Sequence, residues 1–544
     1  MKGEIQVKPK EHLLLHAFPY LFAGAALTAL TLIFPVLGWA EWLTMIPLFI
    51  GAYRLCGHTG IRLRTVYLFG FLTVLIYYLF IYHWFVRLYP LDFVGMSNGA
   101  SVAVILAGWL GLSLLQAIPG GLVFLLFAVL HRTPVIRRVP LLRPFLFSAL
   151  WVIFEWSGTL SWLGVPWGRL CLGQIRYLPL LQSASLFGSC FVSFLLLTVN
   201  GLLAYAVLYR KNRMRSVLCV AVAALLLASD WIYGAAAIRH PAEEYTTVRV
   251  ATLQGNINSH DKWSTDSLRL TKEIYGEMTK KAANEGAELI LWPETAFPYV
   301  LNRSTGLLEY VSGLAREYHI TLIIGALYKD DENREYNALY MVSPDGTVSD
   351  SIYAKRHLVP FGEYVPMRKL ITTLIPPLGD LSALDSDLSA GTDPALFETE
   401  WGSAGGLICF DSIYDELARD SVRAGAGILL LSSNDSWFYD SAAVYQHQAQ
   451  AQLRAIETGR YLVRSGNTGI SSVITEHGEN IEWIDPLTDG YAVADAHLIP
   501  SGNTLYTVVG NLFVYLCILF FAATLGIGIF LSAAERKKRR GPEA

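Results

Sequence analysis

Eight apolar stretches separated by basic loops constrain this chain more than any other feature. A helix needs about 20 apolar residues to cross a bilayer core. The stretches lie near Leu13–Phe34, Ala40–Tyr53, Val66–Trp84, Val102–Leu130, Phe145–Trp162, Leu178–Leu208, Ser216–Gly234 and Tyr506–Ser532. The second is short, as a tilted or re-entrant segment would be. The fourth and sixth are long and contain Gly, Pro or polar residues. Charged residues make up 16% of the 544 residues, against about 25% in soluble chains. The shortfall falls in 1–235 and 505–533, whereas 245–500 has soluble composition. The N-terminal stretch lacks a small-residue cleavage site and reads as a retained first helix.

Lys and Arg concentrate on the cytoplasmic side of membrane proteins. With the N-terminus inside, the inner segments hold Lys2, Lys8, Lys10, Arg54, Arg62, Arg64, Arg132, Arg137, Arg138, Arg143, Arg210, Lys211, Arg213, Arg215 and the run Arg536–Arg540. The outer loops hold only Arg87, Arg169 and Arg176. This parity predicts transmembrane helices 1–7 over 1–235, an extracytoplasmic domain over 245–500, an eighth helix over 505–533 and a basic cytoplasmic tail over 534–544. Glu155 falls inside the fifth stretch. An ionisable group at that depth is a functional candidate, or else it lies near the outer interface and pairs with a loop arginine.

The soluble region alternates strands and helices, which predicts a mixed sheet with helices on its faces. Strands are expected at 248–254, 288–292, 321–328, 336–343, 347–354, 405–410, 428–432 and 462–474, with one more after the turn His477-Gly478-Glu479. Helices are expected at 264–284, 305–318, 412–424 and 442–458. The stretch Leu370–Thr399 contains Pro376-Pro377 and little periodicity, and reads as a long loop or lid.

Cys409 is the one soluble-region cysteine among six, so no disulfide can form within that region. It follows Gly405-Gly406-Leu407-Ile408, where a strand turns into a helix. Backbone N–H groups at such a turn favour a thiolate and can hold an oxyanion. Taken alone it could equally be a small buried hydrophobe. Glu294 ends the buried run Leu-Ile-Leu-Trp-Pro-Glu, where a partly desolvated carboxylate has the raised pKa of a general base. Lys355 ends a strand in Tyr-Ala-Lys-Arg-His-Leu-Val-Pro-Phe-Gly-Glu-Tyr-Val-Pro, and Glu363 lies in the turn that follows. A fixed ammonium there stabilises a thiolate and a tetrahedral oxyanion. Each of these is also compatible with an ordinary surface charge. Together they form a coherent nucleophilic site: Glu takes the thiol proton, the thiolate attacks a carbonyl, and Lys with the Phe410 N–H holds the developing charge.

The Trp-Pro-Glu at 292–294, the block at 355–366, the Cys409 elbow and Ser-Asn-Asp-Ser-Trp-Phe at 433–438 resemble the nitrilase superfamily. More narrowly, they resemble its membrane-embedded branch, the apolipoprotein N-acyltransferases. The resemblance extends over nearly the whole chain. It implies an integral membrane helical bundle of about eight transmembrane helices plus an extracytoplasmic nitrilase-like α-β-β-α sandwich. It also implies a Glu294–Lys355–Cys409 triad assisted by Glu363, and a tryptophan, Trp263, near the substrate entrance. Phe410, Asp411 and Trp437 are candidate substrate contacts. The elbow departs from the family's Cys-Tyr-Glu: this chain has Cys409-Phe410-Asp411.

The resemblance implies transfer of an acyl chain from a phospholipid, through a Cys409 thioester, to the α-amino group of a lipoprotein's diacylglyceryl-cysteine. It places the protein as a monomer in a bacterial inner membrane, with both termini cytoplasmic. Two other readings use the same residues differently: a tethered amidase or nitrilase that hands the acyl group to water, and a transporter or scaffold whose domain no longer catalyses. No cofactor is expected. The scattered histidines suggest no metal, and nothing suggests nucleic acid or nucleotide binding.

Overall fold

The computed structural model describes residues 10–91, 96–160, 164–258, 262, 267–369, 373 and 387–540. It divides into two compact units. One comprises residues up to 83, 106–237 and from 511 onward; the other comprises 84–105 and 238–510.

The first unit is helical. Its main helices are α1 Lys10–Ile33, α2 Ile46–Gly57, α3 Leu63–Ile81, α4 Asn98–His131, α5 Leu142–Ser157, α6 Ser189–Leu208, α7 Arg213–Ile238 and α12 Leu512–Arg540; the ends of α4 and α7 extend into the other unit. Among the described residues, six helical segments are long and apolar enough to cross a membrane. The elements differ from the apolar runs where the backbone breaks. The second run divides at Met45 into Glu41–Thr44 and α2. The sixth breaks at Gly188, whose φ of 79° ends one short helix before α6 begins. The last helix starts at Leu512, not at Tyr506. Glu155 lies in the final turn of α5, where it accepts hydrogen bonds from Trp151 Nε1 (3.1 Å) and the Leu170 backbone N–H (3.0 Å). Arg169 beside it donates to Ser189 Oγ at 2.7 Å.

The second unit is an α-β-β-α sandwich. One sheet runs β13-β1-β2-β4-β5-β6, with β3 on β4; the other runs β12-β11-β10-β9-β8-β7. The strands are β1 Thr246–Gln254, β2 Leu289–Leu291, β3 Phe297–Val300, β4 Thr321–Lys329, β5 Glu335–Val342, β6 Tyr353–Ala354, β7 Leu396–Thr399, β8 Gly402–Ile408, β9 Ile428–Ser433, β10 Leu462–Gly466, β11 Ser471–Ile474, β12 Asn480–Ile484 and β13 Gly490–Leu498. Side chains alternate across a strand, and here the alternation separates two cores. Val248, Val250, Leu289, Leu291 and Ile323 meet Ile428, Leu430 and Val463 between the sheets. Ala251, Leu253, Ile290, Trp292 and Ile324 face outward into a second core. Helices α8 Ser267–Asn284 and α9 Thr305–Tyr318 belong to that second core, while α10 Asp415–Ala424 and α11 Ala442–Thr458 pack on the other sheet.

Several expectations are corrected here. The run 462–474 is two antiparallel strands joined through Asn467-Thr468-Gly469. The segment 347–352 is not a strand: Val348 makes one isolated antiparallel bridge to Val342 at the end of β5, and the paired strand is only Tyr353–Ala354. The strand at 405–410 ends at Ile408, and Cys409–Ile413 form a 3-10 turn before α10. Part of the expected lid, Leu396–Thr399, is an edge strand on β8. Most of the remainder, 370–372 and 374–386, lies outside the described residues.

Two glycines let strand ends come close. A Cβ on Gly325 would fall 2.4 Å from the Pro293 carbonyl oxygen and 2.8 Å from the Thr295 nitrogen. A Cβ on Gly406 would fall 2.8 Å from Tyr353 Cγ. Backbone atoms cannot give way as a side chain can. Gly325→Ala is therefore expected to destabilise the protein by about 1–3 kcal/mol and to displace Glu294. Denaturation of purified protein, read alongside the pH profile of Cys409 alkylation, checks both.

Candidate active site

Glu294 follows β2, where Trp292 donates its backbone N–H to the Ile323 carbonyl at 2.8 Å. Thr295 then takes a left-handed φ of 45°, which turns the chain abruptly past Gly325. Lys355 follows β6; its N–H bonds the Asn337 carbonyl at 2.8 Å. Its ammonium is 1% exposed and touches two carboxylates, Glu294 Oε1 at 2.9 Å and Glu363 at 2.9 Å. Asn337 Nδ2 donates to both acids, at 2.7 Å to Glu294 Oε1 and 2.9 Å to Glu363 Oε1. The second oxygen of Glu363 accepts the Val359 N–H at 2.8 Å. Burial opposes the charge on Lys355, but Glu294 and Glu363 outweigh it and hold its pKa well above the ordinary lysine range.

Cys409 follows the end of β8 with a left-handed φ of 47°, a conformation that costs a non-glycine residue about 1–3 kcal/mol. It is half-buried. Burial pushes its thiol well above the usual range; the charge of Glu294 pushes the same way and Lys355 pulls back. The three predicted triad members thus act on one another at neighbouring strand ends, with Glu363 joined to them.

The other predicted residues fall elsewhere. Asp411 is wholly buried. Its carboxylate accepts from Tyr353 Oη (2.8 Å), from Ile408 N (3.1 Å), and from Arg356 N and His357 N (3.2 and 2.8 Å). Those four bonds account for its burial, and they tie the Lys355 strand end to the Cys409 elbow. The Phe410 ring lies edge-on to Tyr414 at 5.5 Å. Trp437 is half-buried in the 3-10 turn Ser436–Phe438. Trp263 lies outside the described residues.

The sequence reading missed two features. Lys262 is buried and donates from Nζ to the Glu294 backbone carbonyl at 2.8 Å. Burial brings its pKa down to about 8, against the pull of Glu294 and Cys409. A polar cluster also lies behind the elbow. His447 Nδ1 is 2.8 Å from Asp435 Oδ1, and Arg464 Nη2 donates to Asp435 Oδ2 at 2.6 Å. Ser433 Oγ donates to Asp435 Oδ1 at 3.0 Å. The donor atoms of Cys409, Asp435 and His447 lie within 4.8 Å of one another. Both Asp435 oxygens are already engaged, so the trio is built as a hydrogen-bonded support. The cue available in sequence was the polarity of α11, whose Gln446, His447, Gln448 and Gln450 are all buried.

Residues 249–498 match the carbon-nitrogen hydrolase family model, which agrees with a sandwich presenting Glu, Lys and Cys at its strand ends. Residues 24–202 match the model of the apolipoprotein N-acyltransferase N-terminal domain. A protein named apolipoprotein N-acyltransferase from Gloeobacter violaceus is 33% identical, with 94% of each chain covered. One of the same name from Geobacter metallireducens is 32% identical over 95% of this chain and 96% of its own. The chain belongs to the apolipoprotein N-acyltransferase family.

A glutamate charge beside the thiol disfavours the thiolate, and if Glu294 is the general base, its loss removes the proton acceptor. Glu294→Gln is therefore expected to lower acyl transfer by about 10²–10⁴-fold. It should also move Cys409 alkylation by iodoacetamide to lower pH. Paired activity and alkylation profiles check both signs.

Proposed function

We propose that this chain moves a fatty acyl group from a membrane phospholipid, through a thioester on Cys409, to the α-amino group of the diacylglyceryl-cysteine that begins a lipoprotein. The observation that carries this reading is the convergence of Glu294, Lys355 and Cys409 at adjacent strand ends in a chain related end to end to named N-acyltransferases. Glu294 takes the Cys409 proton, and the sulfur attacks the ester carbonyl. Lys355 and the Phe410 N–H hold the tetrahedral oxyanion. Collapse expels the lysophospholipid alkoxide, which takes the proton back from Glu294. The lipoprotein amine then attacks the thioester, giving its proton to Glu294, and the thiolate leaves. Glu363 and Asn337 keep Lys355 aimed at this point.

The membrane setting belongs to the same proposal. Both substrates carry long chains, so they arrive laterally from the bilayer. Eight transmembrane helices, the soluble domain at 245–500 on the extracytoplasmic side of a bacterial inner membrane, both termini in the cytoplasm and a monomeric enzyme fit that delivery. The basic residues crowd the loops assigned to the cytoplasm. Trp263, Phe410 and Trp437 are proposed to meet substrate.

Intact-protein mass spectrometry tests the reaction. Incubation with phospholipid and no acceptor should add one acyl chain, absent in Cys409→Ala and discharged by a lipopeptide with a free amine. Discharge to water at the same rate with or without the amine would identify a tethered hydrolase instead. No adduct with any phospholipid on folded protein would favour a transporter or scaffold.

A further inference from the structure

Several carbonyls of the bend that carries Glu294 are held by neighbouring groups. Ser432 Oγ donates to the Trp292 carbonyl at 3.0 Å, the Ala296 N–H to the Pro293 carbonyl at 3.2 Å, and Thr271 Oγ1 to the Ala296 carbonyl at 3.0 Å. Those donors are all neutral. The Glu294 carbonyl takes an ammonium instead, Lys262 Nζ at 2.8 Å. Lys262 is 4% exposed. This is its one side-chain hydrogen bond among the described residues, although an ammonium carries three donors.

A hydroxyl satisfies a carbonyl elsewhere in the same bend, so the carbonyl alone does not account for a lysine. Burying a charge is expensive unless opposite charge lies near. The groups that act on the Lys262 charge are Glu294 and Cys409, which favour it, and Lys355, which opposes it. Lys262 therefore faces the carboxylate and the thiol of the site. Glu294 and Glu363 leave one negative charge in excess over Lys355, and the Lys262 ammonium offsets it. The backbone fixes where this ammonium comes from. Asn467 accepts the Ile257 N–H on Oδ1 at 3.1 Å and donates from Nδ2 to the Ile257 carbonyl at 2.7 Å. The Lys262 N–H then bonds the Asn258 carbonyl at 3.0 Å. The chain after β1 is thus pinned at Ile257 and reaches the Glu294 bend through Lys262.

We propose that Lys262 is a positioning residue whose charge also serves the reaction: its hydrogen bond holds the Glu294–Thr295 peptide, where Thr295 takes its left-handed φ of 45°, and its ammonium favours the Cys409 thiolate alongside Lys355. The inference rests on Cys409 being the nucleophile that Glu294 serves.

The test uses full-length detergent-purified enzyme. Lys262→Met keeps an unbranched side chain and loses both donor and charge. Its rate of thioester formation from phospholipid vesicles should fall by about ten-fold, the scale of one hydrogen bond from a charged group, with KM for the donor little changed. Its rate of Cys409 alkylation by iodoacetamide at neutral pH should fall by up to about ten-fold, the effect of one pKa unit in the thiol. The wild-type ammonium loses its proton at about pH 8, so its charge acts below that pH and is lost above it. The alkylation deficit of Lys262→Met should therefore narrow well above pH 8, whereas a merely structural role would leave it the same at every pH. A folded Lys262→Met enzyme with wild-type alkylation at neutral pH, or with a deficit that does not narrow, overturns the proposal. Should that variant fail to fold, Lys262→Arg decides, because its charge persists at high pH. Its alkylation rate relative to wild type should rise as the pH passes 8, and a constant ratio overturns the proposal. Alkylation needs no acyl donor, so this readout stands apart from any failure of the acyl-transfer reading.

Discussion

The Lys355 ammonium, enclosed by Glu294 and Glu363, is the interaction on which the site depends. A buried charge without partners is prohibitively costly, and removing one member of a buried pair costs about 3–5 kcal/mol. Here one cation is shared by two anions, and Asn337 donates to both. The four residues come from the end of β2, the end of β6, the turn after it, and β5. Their mutual satisfaction therefore fixes where strand ends stop, and the fixed strand ends place a positive charge beside Cys409.

This arrangement also fits the nucleophilic role proposed for a thiol with a strongly raised pKa. At rest the group holds two carboxylates, one ammonium and a neutral thiol, for a net charge of −1. In the proposed reaction, where Glu294 takes the thiol proton, the group holds one carboxylate, one ammonium and a thiolate, and the net charge is still −1. The proton moves within the cluster, so the buried site need not gain or lose charge. The same carboxylate that disfavours the thiolate at rest is the group proposed to receive the thiol proton. Reactivity is thereby tied to the arrival of a carbonyl, where Lys355 can meet the new oxyanion.

Much of the sandwich is legible in the chain because strong periodicity and good caps coincide. Thr305–Tyr318 and Ala442–Thr458 are helices over the predicted residues. The placement of Glu294, Lys355 and Cys409 at strand ends was readable because each follows a short apolar run, and a strand end is where a polar side chain can emerge. What the sequence concealed has physical reasons. The hairpin at 462–474 turns on Asn467-Thr468-Gly469 without a proline, inside a run that reads as continuous. Edge strands of two to four residues, such as β6 and β7, carry too few residues to show a period. Asp411 was read as a substrate contact from the family resemblance; only the fold brings Tyr353 and the 356–357 N–H groups onto it. The Asp435–His447–Arg464 cluster is drawn from a turn, a helix and a strand, so no spacing rule could assemble it.

Asp411 ties the two halves of the site together. Its carboxylate takes two N–H groups from the turn just after Lys355, one hydroxyl from the strand before it, and one N–H from Ile408. The lysine's strand end and the cysteine's strand end are cross-braced through a single side chain, although β6 and β8 lie in different sheets. The left-handed backbone at Cys409 is unfavourable on its own, and it is held by Asp411 on one flank and Ser412 on the other. Ammonium and sulfur therefore keep their relative position without any contact from substrate.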